Sequence, residues 1–513
     1  MKTLNKFSKI IFLLLVLSSC SEDFIDRPPE SDIALTEFYS TVDQVNASTY
    51  ILYGLPWYQY NNFFSWVVGD VAAGNMITWD PKSVAFVTWD VGGDNQVLTQ
   101  GWTSLWGVIA QANSIINYLP QYVGADVPQE AINNALGEAR FMRGLAYFYL
   151  VRVWGNVPII ENNLDHVYDS KLPTNPVSDV YTFIKRDFQF AIDNLREKSV
   201  ADVGHACAGT ARSFLAKVYL YEKDYAMAKQ LAGKVISDGD FSLMENYEDL
   251  FLTENDNNDE SVLQLQWVGN GPYGTGNALQ AYFAHSSSVT GTGDGWGAVG
   301  PSIDLLNAYE EGDTRDHATV MRRGDYYPNL NGGFTVPDDI DVHGPDAGIK
   351  KYVVGRPEYN GGGAQANHAN NTYMMRYAEV LLIYAEAIMA GSGSTSNSEA
   401  INAYKQVRQR AFPEADLSGI TEITFDDIFY ERRIELAVEN DYWYDLGRID
   451  RTKAINIMAN QERGTYNGDD PTIIDEREGF RAPTEADFLF PYPNVDVIKN
   501  PLLTEAPVPY NFN

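Results

Sequence analysis

The chain has 513 residues and 45% hydrophobic content, enough for a large folded body and too apolar for long disorder. Its 37 Lys and Arg stand against 69 Asp and Glu, a formal charge of −32, so nucleic acid and anionic lipid surfaces would repel it. Two cysteines, Cys20 at the N-terminus and Cys207 deep in the chain, exclude a disulfide framework and a Cys-rich zinc site.

The first twenty residues, MKTLNKFSKIIFLLLVLSSC, carry Lys2, Lys6 and Lys9 and then an apolar run from Ile10 to Leu17. A basic region followed by a short apolar run reads as a secretory signal, and the run is too short to span a bilayer comfortably. LSSC at 17–20 resembles a bacterial lipobox, which makes residues 1–19 a lipoprotein signal peptide and Cys20 the acylated, membrane-tethered first residue of the mature chain. The acidic SEDFID that follows is similar to the export tag of surface-facing lipoproteins.

Helical repeats come next. WGVIAQAN (106–113) echoes the opening of a tetratricopeptide unit, and EARFMRGLAYFYLVRVWG (138–155) pairs with DVYTFIKRDFQFAIDNL (179–195) across an insertion. ARSFLAKVYLYEKDYAMAKQLAGKVI (211–236) fits a two-helix unit, with Ala228, Ala232 and Val235 small enough for close helix contact. Cys207 just before it reads as a small buried hydrophobe. Between about 255 and 370 the helical period fades into Gly-rich turns such as GNGPYGTGN and TGTGDGWGAVG, with short strand-like runs such as SVLQLQWV (261–268). Helical pairing returns with RYAEVLLIYAEAIMA (376–390) and SEAINAYKQVRQRAF (398–412). The expected fold is mainly α, a tetratricopeptide-like superhelix of helix pairs with a loop-rich irregular subdomain, where function more often resides.

Catalytic and cofactor motifs are thin. GNGPYG (269–274) matches G-x-G-x-x-G, but Pro272 and the following glycines oppose the helix start that a phosphate cradle needs. The six histidines show no ligand spacing. ENDNNDE (254–260) offers oxygen donors for a structural calcium, yet without the Gly and terminal Glu of an EF-hand a solvated acidic loop is the favoured reading. No other cofactor is expected.

ERRIELAVENDYWYDLGRID (431–450) alternates charge with core residues. On a continuous helix, Phe425, Ile428, Phe429 and Leu436 share a face, Arg432 falls inside it, and Glu435 and Glu439 lie at its edge. Arg432 and Glu435 are spaced i,i+3 and are expected to pair. A buried network that fixes helix register is favoured over a catalytic cluster, and Trp443 is read as a packing residue.

Five blocks, CSEDFIDRPP (20–29), EARFMRGLAYFYLVRVWGNVPII (138–160), YMMRYAEVLLIYAEA (373–387), ERRIELAVENDYWYDLGRID (431–450) and LFPYPNVDVIKNPLL (489–503), together resemble the SusD/RagB family of outer-membrane, glycan-binding lipoproteins. The resemblance implies an N-terminal helical region at 20–250, a loop-rich insert at 251–372 and a C-terminal helical region at 373–513. It implies a lipid-anchored, surface-exposed protein that performs no catalysis. Such a protein binds oligosaccharide and delivers it to a SusC-like TonB-dependent transporter. A surface glycoside hydrolase, and a helical-repeat scaffold for peptide or another nutrient, are the alternatives.

The ligand site varies with substrate in that family, so its place is argued physically. Sugar rings stack their C–H faces on Trp and Tyr, and their hydroxyls need Asp, Asn or Arg. Trp102 and Trp106 open a helix and are assigned to packing. Trp79 and Trp89 lie in the non-helical stretch GDVAAGNMITWDPKSVAFVTWD, with Asp70 and Asn75 as polar partners. Trp296, flanked by glycines, is the foremost candidate, and Tyr282 lies in the same loop region; each of these rings also reads as a loop anchor.

Overall fold

A computed structural model describes residues 38–337, 347–359, 361–467 and 472–512. The signal peptide, Cys20 and the 20–29 block lie outside the described residues. Helices α1 (Gln96–Tyr122), α2 (Gln129–Trp154), α3 (Val177–Asn194), α4 (Ala208–Tyr221) and α5 (Tyr225–Asp238) pack one against the next in chain order. After the loop-rich insert, α6 (Tyr377–Met389) packs on α5, and α7 (Ser398–Ala411) packs on α6. The helices before and after the insert therefore form one continuous stack, the tetratricopeptide-like frame expected from the spacing.

Local chemistry sets the helix ends. Side chains of Asn95, Asp224 and Asn397 accept first-turn N–H groups of α1, α5 and α7. Lys223 takes the left-handed turn (φ 64°) between α4 and α5. Ala228, Ala232 and Val235 are buried on α5, as their spacing predicts. Helix α2 lies between α1 and α3, so it is buried on nearly every side. A Cβ at Gly144 would stand 2.9 Å from the Phe188 ring of α3, so this close crossing needs glycine. Arg143 of α2 and Asp187 of α3 form a buried bidentate pair at 2.7 and 2.8 Å across the same contact. Cys207 is buried at the start of α4.

The insert carries short antiparallel strand pairs rather than a sheet. Strand β1 (Met76–Thr78), from the chain before α1, pairs with β3 (Val299–Pro301) of the insert, Thr78 opposite Val299. Strand β2 (Ser261–Leu265), within the expected strand-like run, pairs with β4 (Thr372–Arg376) and ties the start of the insert to its end. The 254–260 segment does not present its oxygens to one point. Glu260 binds Arg376 and Arg410, Asp256 accepts the Asn371 N–H, and Asn257 exchanges amide hydrogen bonds with Gln266. Among the described residues no group of three or more His, Cys, Asp or Glu side chains converges to hold a metal.

The charged stretch 431–450 is buried, but it is not one helix. Helix α8 (Phe425–Glu435) stops, Val438 and Asn440 adopt left-handed φ of 65° and 70°, and α9 (Tyr442–Arg448) follows. The expected Arg432–Glu435 pairing is replaced by separate partners. Arg432 reaches Asp445 at 2.8 Å, Glu379 at 2.9 Å and Asp441 at 3.2 Å. Glu435 meets Arg376 at 2.7 Å and Arg315 at 3.1 Å, and also Arg410. These arginines hold the Glu435 carboxyl down at about 2 against the desolvation that would raise it. The network ties α8 and α9 to α4, α6, α7 and the insert, a structural role. Trp443 is buried and stacks on Phe488 and Phe490.

Candidate functional site

Two π-helical turns, Tyr60–Phe64 and Val67–Val71, follow each other at the base of the insert. Such turns re-aim side chains within a helical run. Here they bring Phe63 and Trp66 under Tyr282, with ring centroids 5.5 and 5.7 Å away. Tyr282 belongs to the short helix Leu279–Phe283, along which the glycine-rich 291–297 loop runs. Trp296 N–H donates to the Ala281 carbonyl at 2.7 Å, and Ala298 N–H to the Tyr282 carbonyl at 3.2 Å. Gly295 sits at φ 94°, and a Cβ there would lie 2.4 Å from the Ser286 carbonyl oxygen, so only glycine brings the loop this close.

The result is an exposed ring on a fixed support. Trp296 is 49% exposed and stands edge-on to Tyr282 at 4.8 Å and 88°. Beneath the loop, buried Asp294 accepts hydrogen bonds from His368 Nε2 at 2.8 Å, from Ala366 N–H at 2.9 Å and from the Thr292 hydroxyl. Burial would raise the Asp294 carboxyl, but these donors outweigh it and hold it down at about 2. The β1–β3 pairing adds Trp79, half-buried, whose N–H donates to the Ala298 carbonyl at 3.3 Å. The backbone of Trp79 thus lies two residues from Trp296.

Two tyrosines that the residue pattern did not single out extend this surface. Tyr273 is 82% exposed and stands 5.0 Å from Tyr58. Both lie close enough to Tyr282 for its ionisation to be felt. Burial, then the hydrogen bond to Tyr273, pushes the Tyr58 hydroxyl above its ordinary range. Tyr273 lies in GNGPYGTG, between Pro272 and Gly274 in a glycine-rich run, a weaker form of the pattern that marks Trp296. At the margin, Lys82 Nζ lies 5.8 Å from the Phe63 centroid, and Asp80 accepts the Lys82 N–H. Exposed rings on rigid supports beside polar groups can stack a flat C–H face and bind its hydroxyls.

Three expected ligand residues are elsewhere. Trp89 is buried: its indole N–H donates to the Ala72 carbonyl at 3.0 Å, and the Arg463 guanidinium lies 4.3 Å from its ring. It ends the short helix Ala85–Thr88 in a left-handed conformation, so this part of the stretch is neither non-helical nor on the surface. Asp70 is also fully buried and accepts N–H groups from Asn440 at 2.7 Å and Val438 at 3.3 Å. Its work is to hold the left-handed turn between α8 and α9. Asn75, buried beside it, donates to Asp70 at 2.8 Å and accepts from Arg433 at 3.0 Å.

A sequence profile described as "SusD family" matches residues 259–508, and one described as "Starch-binding associating with outer membrane" matches residues 23–220. A "SusD-like protein" of Bacteroides ovatus is 36% identical over 553 aligned positions, covering 99% of each chain. The chain belongs to the SusD family. A solved structure determined with a xylogluco-oligosaccharide is 35% identical, covers 91% of this SusD-family chain and 99% of its own, and superposes with a TM-score of 0.82. A laminarin-binding SusD-like protein, 22% identical with a TM-score of 0.69 over 90% of this chain and 98% of its own, shares the fold. The mainly helical architecture is thus that of the family, whose named members bind carbohydrate.

Proposed function

We propose that this SusD-family protein is a non-catalytic cell-surface lipoprotein that captures a neutral β-glucan of the xyloglucan class and passes it to a SusC-like TonB-dependent transporter. The observation that carries the reading is the exposed Trp296 ring, held at right angles by Tyr282, with the Trp79 backbone paired two residues along the chain and the Tyr58–Tyr273 ring pair on the same insert. The xyloglucan class rests on the oligosaccharide bound by the 35% identical structure. Anchoring through Cys20 and delivery to a transporter rest on the lipobox and on family membership.

The non-catalytic reading is supported, among the described residues, by the two carboxylates beside the rings. Asp294 is spent on supporting the loop from below, and Asp80 caps its own turn. A retaining or inverting hydrolase needs two carboxyls facing the sugar from opposite sides.

Calorimetry with xyloglucan, followed by chromatography of the mixture, tests both points. Heat of binding with the polymer intact is expected. Release of shorter sugars would make the protein a hydrolase, and silence towards xyloglucan alongside binding of peptide would favour the scaffold alternative. Co-purification of a TonB-dependent transporter with the tagged, full-length protein from outer membranes tests delivery.

A further inference from the structure

The exposed apolar surface does not stop at Tyr273. Leu55, exposed, leans on the Tyr273 loop: a Cβ at Gly274 would lie 2.8 Å from its Cδ1. The segment 266–268 runs past both, with Gln266 N–H donating to the Tyr53 carbonyl at 2.8 Å and Val268 N–H to the Thr275 carbonyl at 2.7 Å. Across the break at Gly54, at the head of the short helix Tyr50–Tyr53, lies Tyr50, 56% exposed.

Tyr50 repeats the construction at Trp296. Its ring meets the His205 ring at 5.0 Å and 75°. His205 is fixed in turn by its Nδ1 contact to Glu138 at 2.7 Å, and Glu138 also accepts the Tyr53 hydroxyl at 2.7 Å. A ring held at its edge by a second, anchored ring leaves a face for a ligand without the entropy cost of a freely turning side chain. Beside it opens a cavity of about 100 Å³ with Lys198, Asp202, His205, Asn257 and Gln264 in its wall, so polar groups adjoin the ring.

We propose that the strip from Tyr273 over Leu55 to Tyr50 is a distal subsite for further units of the same polysaccharide chain, so that the protein favours long chains over single repeats. The proposal rests on the glycan reading of the Trp296 surface. The alternative for an exposed strip containing Leu55 and Val268 is a protein partner. The two aromatic stations, each built the same way and each beside polar groups, favour a sugar chain.

The test is a length comparison with the mature full-length protein, using xyloglucan polymer and its single-repeat oligosaccharide. Tyr50→Ala is expected to weaken polymer binding about three- to tenfold, the scale of one aromatic contact, and to leave the single repeat unchanged. Tyr50→Phe, which keeps the ring, is expected to bind both normally. Trp296→Ala is expected to lose both ligands. Unchanged polymer affinity in Tyr50→Ala, with Trp296→Ala defective, overturns the strip and leaves the main site standing. Normal polymer binding by Tyr50→Ala with loss of transporter co-purification makes the strip a protein-docking surface and overturns the proposal. Failure of the wild type to bind either ligand overturns the glycan reading and the strip with it.

Discussion

Tyr282 meets Trp296 edge-on, with ring centroids 4.8 Å apart and planes at 88°. One ring is half in solvent and the other rests on Phe63 and Trp66, so the pair divides contact from support. Trp296→Ala is expected to weaken xyloglucan binding at least tenfold, because a whole stacking face is lost. It should change unfolding free energy by no more than about 1 kcal/mol, as for an exposed side chain. Tyr282→Ala should cost affinity through loss of alignment and also about 2–4 kcal/mol of stability, since it removes a ring packed on three others. Calorimetry and urea unfolding of the two variants separate these outcomes; equal stability losses would remove the distinction between contact and support.

Binding of the single-repeat oligosaccharide at the Trp296 surface should be insensitive to pH between about 5.5 and 9. Burial lifts the Tyr58 and Tyr282 hydroxyls above their ordinary value of 10, so both stay protonated donors across that range. Burial also drops His285, whose carbonyl would lie 3.0 Å from a Cβ at Gly297 of the Trp296 loop, to about 4, so it is neutral throughout. A titration of single-repeat oligosaccharide affinity from pH 5.5 to 9 is expected to be flat within about twofold. A step near pH 6.5 would place an ionising imidazole in contact with the ligand.

How much of this was legible in the sequence depends on the range of the contacts. Helix pairs read well because their signal is local: Ala228, Ala232 and Val235 recur at helical spacing and face the neighbouring helices. The exposure of Trp296 is legible because glycines on both sides deprive a ring of local packing, whereas Tyr273, with Pro272 before it and Gly274 after it, carries only part of that signal. Asp70 and Asn75 were misplaced because GDVAAGN looks like a surface turn. Their partners Val438, Asn440 and Arg433 lie more than three hundred residues away in the chain. Trp89 failed for the same reason, since Arg463 and Phe480 bury it from the far end of the sequence. The break between α8 and α9 was hidden because the apolar spacing of 425–436 continues smoothly into residues that the Asp70 carboxylate turns aside.

Asp256 is expected to govern part of the stability profile near neutrality. Burial raises its carboxyl to about 7, and the single Asn371 N–H at 3.0 Å only partly opposes this. The folded state therefore holds a proton that the unfolded chain, with an ordinary carboxyl near 3.8, has released. Stability should fall as pH rises from about 4 to about 7 and level off above that. Asp256→Asn should remove this slope and gain about 1–2 kcal/mol at pH 8, a figure reduced for the residue's partial exposure. Urea unfolding of both proteins at pH 4, 6 and 8 tests this; a variant less stable than wild type at pH 8 would show that the carboxylate is needed in its charged form.

Arg432 decides whether the charged stretch 431–450 is scaffold or site. Its guanidinium is fully buried and holds Asp445, Glu379 and Asp441 together, with Lys217 reaching the last two at 2.8 Å each. Arg432→Met would leave three buried carboxylates with Lys217, with Arg152 at 3.9 Å from Asp441, and with Arg448, which pairs with Asp445 at 2.7 Å. Breaking such a buried group by removing one partner typically costs about 3–5 kcal/mol, because the remaining charges are desolvated without compensation. A loss of that size in urea unfolding is expected at pH 7, with xyloglucan affinity of the folded fraction unchanged. The loss should shrink towards pH 4, where the stranded carboxylates can take up protons and the charge that Arg432 balanced disappears. An Arg432→Met protein of wild-type stability that no longer bound glycan would instead move the site into this stretch and away from Trp296.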